Sequence, residues 1–251
     1  MLAARVKAAA TCSEREGIEH EAGVRYSELL RLPYFDIVRC HLVDPMRNLF
    51  LGTSKRMLTI WKQRGYLNSS MFDLQQEHVD AINPPSNIGC IPYKISSGFA
   101  GFTAEQWMLW TILYSPVVLR DLLPNEHYTP WCIFSRACAL LCRPYLHERE
   151  VDKADELLLS FCTGFEQLYG AEACTLNLHM HFHLKECILN VGPLYSFWCF
   201  SFECYNGILE KMQKSWNASE LQLIHKFSNL QTLAADILQL EKKCVEITFK
   251  C

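Results

Sequence analysis

The chain has 251 residues, half of them apolar and a fifth charged, so it is long enough for one large domain or two modest ones and too apolar for a disordered protein. Its formal net charge of -3 excludes the strongly basic surface of a free-standing nucleic-acid binder, although local basic patches remain compatible with it. No apolar run approaches the length of a membrane span, and the charged residues near the start argue against a secretion signal.

The thirteen cysteines are odd in number and spread along the chain, and no two are spaced C-x-x-C. Neither a disulfide framework nor a zinc ribbon follows from this pattern. We interpret them as mostly buried free thiols of a protein in a reducing compartment, which again argues against secretion.

The N-terminal quarter of the chain predicts a leader, a strand and a helix. Residues 1–22 lack a sustained apolar period and are expected to form a disordered leader. Residues 36–43 are rich in β-branched side chains and end at Asp44-Pro45, which predicts a strand that runs into a tight turn. Residues 46–61 carry apolar side chains at close to helical spacing. The predicted local order is strand, carboxylate, helix.

The rest of the chain predicts a loop-rich region followed by helices. Residues 65–98 are rich in Pro, Gly, Ser and Asn, which is typical of loops. Thr103 and Gln106 form an imperfect capping box at the start of a helix, and Gly170 is expected to end the clearest helix. The predicted helices are 107–113, 127–141, 150–169, 177–190, 194–212 and 218–246.

Two carboxylates are candidate site residues. Asp44 follows an apolar stretch and precedes a helix, where metal-binding carboxylates lie in α/β enzymes, but Asp before Pro is more often a turn residue or helix cap. Glu203 lies among large apolar side chains. Such an acid is either an ordinary residue at the rim of the core or a ligand of a cation, because an unpaired buried carboxylate is costly.

A histidine cluster is the third candidate. On a strand His179, His181 and His183 would share one face, whereas on a helix only His179 and His183 do. The surrounding sequence predicts a helix. Structural histidines and a metal site both remain open, and the first is the commoner case.

A small basic surface follows Asp44, formed by Lys55, Arg56, Lys62 and Arg64. It is compatible with phosphate contacts, although such charges more often form a solvated helix face.

Three segments, read together, resemble one protein family. Residues 26–58, YSELLRLPYFDIVRCHLVDPMRNLFLGTSKRML, resemble the S-E-L-L-x-L-P-Y-F-D-P-V-R…D-P-M-H-N-L-x-L-G-T segment of CACTA-type (En/Spm-like) DNA transposases. Residues 88–110, IGCIPYKISSGFAGFTAEQWMLW, resemble the segment I-G-R-x-P-x-K-I…F-T-A-D-Q-W-x-x-W. Residues 177–209, NLHMHFHLKECILNVGPLYSFWCFSFECYNGIL, resemble N-M-H-x-H-x-H-L…G-P-x-x-x-F-W-x-F-x-F-E-R-x-N-G. The matches occur in the same order and cover the chain from about residue 23 to about residue 230.

The resemblance implies an RNase H-like core of the DDE type with a helical insertion between its second and third acids. In such enzymes three carboxylates hold two Mg²⁺ ions that promote in-line attack on a phosphodiester. Asp44 matches the second acid and Glu203 the third. The partners implied are DNA and other transposase subunits, with no membrane contact, and the location implied is the nucleus, or the cytoplasm. Possible supporting residues near these acids are His179, His181, His183, Arg47 and Asn206.

The expected fold is mainly α with a small α/β part, a partial RNase H-like core that carries a large helical insertion. The expected segments are a leader at 1–22, a partial core at 23–64 with strand, Asp44 and helix, a helical insertion at 65–190, and C-terminal helices at 191–251 that include the helix of the third acid.

The chain also departs from the family pattern. The first acid has no counterpart, and we expect it to lie upstream of residue 1. Asp36 cannot replace it, because eight residues of strand would separate it from Asp44 by about 26 Å, whereas paired metals lie about 4 Å apart. Arg47 stands where the family has His, and Cys90 and Cys204 stand where it has Arg. These departures predict a fragment or degenerate copy of a transposase that is inactive alone.

Two alternatives remain. One is a domesticated, transposase-derived nuclear protein with a non-catalytic binding or scaffold role. The other is a metal-dependent hydrolase that uses His179 and His183, which predicts bound zinc that is lost when either residue is changed to alanine.

Overall fold

The structure, a computed structural model, describes residues 9, 11–22, 27–36, 39–84, 88, 95, 98–99, 101–200, 202–203, 205–206, 224–225, 228–229 and 232. These residues form helices and turns, with no β-strand among them. The prediction of a mainly helical chain is therefore confirmed, while the RNase H-like part of the fold stays a prediction. The chain divides into two compact units, a first unit of residues 1–44 and 119–197 and a second unit of residues 45–118 and 198–251.

The α-helices alternate with short 3₁₀ turns and wider, π-helical turns. The 3₁₀ turns are Glu28–Arg31, Ala171–Ala173, His181–His183 and Leu194–Ser196, and the π-helical segments are Met46–Ser54 and Trp110–Tyr114. In chain order the α-helices are α1 Cys12–Ala22, α2 Lys55–Gln63, α3 Ser69–Asp80, α4 Ala104–Leu109, α5 Ser115–Val118, α6 Asn125–Leu141, α7 Glu148–Tyr169, α8 Leu176–Met180 and α9 Leu184–Val191.

The first unit is organised around the packing of α6 against α7. Phe134 of α6 and Phe161 of α7 are fully buried, with ring centroids 4.7 Å apart. A capping box between His147 and Glu150 starts α7. The predicted end of α7 at Gly170 is confirmed, and this residue adopts a φ of 88°, which glycine tolerates better than any other residue.

The second unit begins with wide turns rather than with a regular α-helix. In the Met46–Ser54 segment the Lys55 amide donates to the carbonyl of Phe50, five residues earlier. Almost every side chain of this segment is buried or half-buried, and Arg47 is the exposed one. Ser54 Oγ lies 2.7 Å from Thr111 Oγ1, so a buried hydroxyl pair links this segment to the next π-helical turns.

The predicted strand at 36–43 is wrong for the residues that the structure describes. The Cys40 amide donates to the carbonyl of Asp36, and the Arg39 amide donates to Asp36 Oδ1 at 3.3 Å. The Asp36 side chain thus closes a turn, which competes with an extended backbone. A strand also needs a partner strand, and the described part of the chain offers none. Residues 37–38 lie outside the described residues.

Two segments that were expected to be irregular contain helices. The leader includes α1, on which Arg15 and Glu19 form an ion pair one turn apart. The loop-rich region includes α3, whose first turn is capped by Asn68 Oδ1 accepting from the Met71 amide.

The later helix predictions are confirmed in part. The helix at 127–141 is α6, and the one at 150–169 is α7. The one at 177–190 is divided into α8, a 3₁₀ turn and α9. The one at 194–212 is wrong at its start, because residues 194–196 form a 3₁₀ turn and residues 197–199 are not helical, whereas residues 200, 202–203 and 205–206 are helical. The rest of that segment, and most of the segment predicted as 218–246, lie outside the described residues. The predicted boundary between leader and core at 22, and the boundaries of the insertion at 64 and 190, stay predictions.

Candidate functional site

Arg47 and Glu203 form an ion pair within the second unit. Arg47 Nη2 donates to Glu203 Oε1 at 3.0 Å, across 156 residues of sequence. The Arg47 side chain is 67% exposed and the Glu203 side chain 47% exposed. The two sequence segments that carry Arg47 and Glu203 therefore meet in space, at a point open to solvent.

Aromatic packing positions the Glu203 segment. The Phe200 ring lies 6.3 Å from the ring of Phe50 and 4.9 Å from that of Trp198. The Glu203 amide donates to the carbonyl of Cys199, which starts a helical turn on which Asn206 lies exposed. Glu203 is thus a residue at the rim of the core, and its partner is an arginine. Because its side chain is exposed, the free-energy cost of burying a carboxylate does not arise.

Asp44 is half-buried and directly precedes the helical start at Pro45. It is the last residue of the first unit before the chain enters the second, whereas Glu203 belongs to the second. The pairing of Asp44 with Glu203 therefore stays a prediction. Cys90 and Cys204 lie outside the described residues.

The residues of this site do not fit the Mg²⁺ ions of the resemblance. A Mg²⁺ site needs oxygen ligands, and one Glu203 oxygen already accepts a hydrogen bond from a guanidinium. Among the described residues no group of three His, Cys, Asp or Glu side chains is placed to hold a metal ion. The chemistry proposed for this chain therefore does not depend on bound Mg²⁺.

A double-mutant cycle measures what the Arg47–Glu203 pair contributes. We expect a coupling of about 0.2–1 kcal/mol between Arg47→Ala and Glu203→Ala in urea unfolding, because exposed ion pairs are screened by solvent. The coupling is expected to shrink in 1 M NaCl.

Arg56→Ala serves as the matched control, since it removes a cation from the neighbouring helix α2. Its effect should add to that of Glu203→Ala without coupling. A coupling of zero for Arg47 and Glu203 at low salt would contradict the prediction that this pair stabilises the fold.

The histidine cluster is split between surface and core, as its helical spacing predicts. His179 and His183 are exposed, with their Nε2 atoms 3.3 Å apart. His181 is fully buried, 3.6 Å from Cys162 Sγ through Nδ1. Burial lowers the pKa of His181 to about 3, so this imidazole is neutral at pH 7 and packs within the core.

The metal-hydrolase alternative rests on two neighbouring imidazoles, those of His179 and His183. A catalytic zinc takes three protein ligands and one open position. His179 and His183 supply two, and the described residues offer no third in place. Burial raises the pKa of the nearby Cys162 to about 12, so without a bound metal this side chain is a thiol. The hydrolase stays a prediction, tested by zinc content.

Sequence reasoning missed a pocket in the second unit. The pocket lies beside α2, where Lys55 and Lys62 border a wall of buried aromatic rings. The sequence signal was the seven-residue spacing of the two lysines, which places them on one helix face. The aromatic wall comes from three separate segments and has no local signature.

Comparisons with known proteins found no relative of this chain. Across the part of the chain that the structure describes, no helix has the length and apolarity to cross a bilayer. No protein-family model, curated protein or solved structure matches this chain.

Proposed function

We propose that this chain derives from a CACTA-type DNA transposase and that it contacts DNA without cutting it on its own. The observation that supports the proposal most directly is the 3.0 Å ion pair between Arg47 and Glu203. In the resemblance Arg47 follows the second acid by three positions, and Glu203 is the third acid. A contact between those two distant segments is what a common site in the parent enzyme would require.

The proposal includes a partial RNase H-like core with Asp44 as its second acid. The helices α3 to α9 are compatible with a helical insertion between the two acids. Action on DNA makes the nucleus the proposed location.

We attribute the expected lack of DNA cleavage to the charges at the site. Two Mg²⁺ ions require several carboxylate oxygens, and the resemblance assigns only two acids within residues 1–251. The Arg47 guanidinium already neutralises one of them and stands where the family has a neutral histidine. A cation that entered the site would have to displace a permanently charged side chain.

We expect no Mg²⁺- or Mn²⁺-dependent strand cleavage or strand transfer by the purified full chain above the level of Glu203→Gln. Gel assays with labelled linear duplexes and supercoiled plasmid measure this. Robust cleavage that disappears in Glu203→Gln would show that the chain is an active nuclease and would contradict the proposal.

DNA binding is the positive part of the proposal. We expect the full chain to bind DNA at low salt with an affinity that falls as salt rises, as phosphate contacts require. Complete absence of binding to duplex and single-stranded DNA would reject this proposal and favour the scaffold alternative, in which the helical surface contacts another protein.

A further inference from the structure

The pocket beside α2 has the form of a small binding site. Its volume is about 210 Å³, and it lies wholly within the second unit. Drug-sized ligands occupy cavities of about 300–1,000 Å³. The pocket therefore has room for one flat ring system rather than for a larger molecule.

One wall of the pocket is a continuous aromatic cluster. The Phe99 ring lies 4.9 Å from that of Phe102, 5.5 Å from that of Trp107 and 6.1 Å from that of Phe72. All four side chains line the pocket. Gly98 and Gly101, both at positive φ, also line the pocket.

A basic face of α2 also borders the pocket. Lys55 and Lys62 lie two helical turns apart, about 10 Å along the axis, with Thr59 between them. The Lys62 ammonium lies over the Phe72 ring, 6.0 Å from its centroid. No acidic side chain is among the described residues that line the pocket, so its charged lining consists of cations although the chain carries a net negative charge.

A small pocket lined by aromatic side chains and bordered by cations matches one class of ligand. Proteins that hold single-stranded nucleic acid combine basic side chains for the phosphates with aromatic side chains for the bases. We propose that this pocket holds an unpaired nucleotide of a DNA strand, with the base against the aromatic wall and the adjoining phosphates on Lys55 and Lys62. This inference rests on the proposed DNA contact and names the form of DNA that is bound.

The test is a binding titration of the full chain by fluorescence anisotropy. The probes are a labelled 12-nucleotide dT strand, the same strand with abasic residues, and a flush duplex of the same length. We expect the dT strand to bind about tenfold more tightly than the abasic strand, because contact of a base with aromatic side chains is worth that much or more. It should also bind more tightly than the flush duplex.

The variants separate the pocket from general charge attraction. Lys55→Ala with Lys62→Ala is expected to weaken dT binding about tenfold or more. Arg56→Ala with Arg64→Ala removes the same charge from the same region but no residue that lines the pocket, and should weaken it less than about threefold. Thr59→Phe, at an exposed position of α2, fills the pocket without changing the charge and should remove the preference for dT over the abasic strand.

Each outcome decides the inference. Equal losses in the two double variants, or equal affinity for dT and abasic strands, would overturn the pocket while leaving the proposed DNA contact in place. No binding of the wild-type chain to any of the three probes would overturn both. Circular dichroism and urea unfolding verify that each variant is folded.

Discussion

Replacing Phe161 by alanine is expected to lower the free energy of unfolding by about 3–5 kcal/mol, the usual cost of removing a buried aromatic ring. Phe161 is 0% exposed at the centre of the first unit. Its ring lies 4.7 Å from that of Phe134 and 6.1 Å from that of Phe165. The cavity would open between α6 and α7, where neighbouring helices have little freedom to collapse. Urea unfolding followed by far-ultraviolet circular dichroism measures the change.

Leu159→Ala is the matched control for this prediction. Leu159 lies on the same helix, α7, and is 55% exposed. We expect it to change the free energy of unfolding by no more than about 0.5 kcal/mol. Comparable effects of the two substitutions would mean that the packing of α6 on α7 is not as described.

The second large effect is a loss of stability in acid caused by His181. Burial lowers its pKa from 6.5 to about 3 in the folded chain, whereas the unfolded chain keeps the ordinary value. Above pH 6.5 both states are neutral at this residue and the contribution is constant. Below pH 6.5 only the unfolded state takes up the proton, so the free energy of unfolding falls until about pH 3.

We expect this residue alone to remove about 2–3 kcal/mol of stability between pH 7 and pH 4.5. The measurement is the difference in urea unfolding between wild type and His181→Gln at the two pH values. His181→Gln lowers stability at pH 7, because it disturbs the packing on Phe134, but it removes the titration. The difference between the two proteins should therefore narrow in acid. His20→Gln, at an exposed position of α1, should leave the pH profile unchanged. A constant difference between wild type and His181→Gln would contradict the prediction.

Local signals predicted the parts of the fold that local interactions decide. The capping residues Thr103 and Gln106 and the glycine after α7 were read correctly, because each acts within one helical turn. Residues 36–43 were misread as a strand. Their β-branched content favours an extended chain, but only a partner strand could have satisfied its backbone, and that partner is not a property of the segment.

The candidate site was predictable to a similar extent. Helical spacing separated His181 from His179 and His183, since residues two apart lie on nearly opposite sides of a helix. It could not say which side was buried, because Phe134 and Phe161 on other helices decide that. The sequence did not predict the partner of Glu203 either, because the contact with Arg47 depends on how distant aromatic residues pack.

The wide turns of Met46–Ser54 also set the angle, about the helix axis, between side chains at the start of this segment and those of α2. A turn closed by a hydrogen bond between residues five apart rotates the chain about the helix axis by a smaller angle per residue than an α-helical turn, which is closed between residues four apart. Over nine residues the difference adds up to roughly half a revolution. The direction in which Arg47 points, relative to the buried face of α2, is therefore set by the backbone hydrogen-bond pattern between them. Inserting or deleting one residue in this segment would turn Arg47 away from Glu203 while leaving both side chains intact.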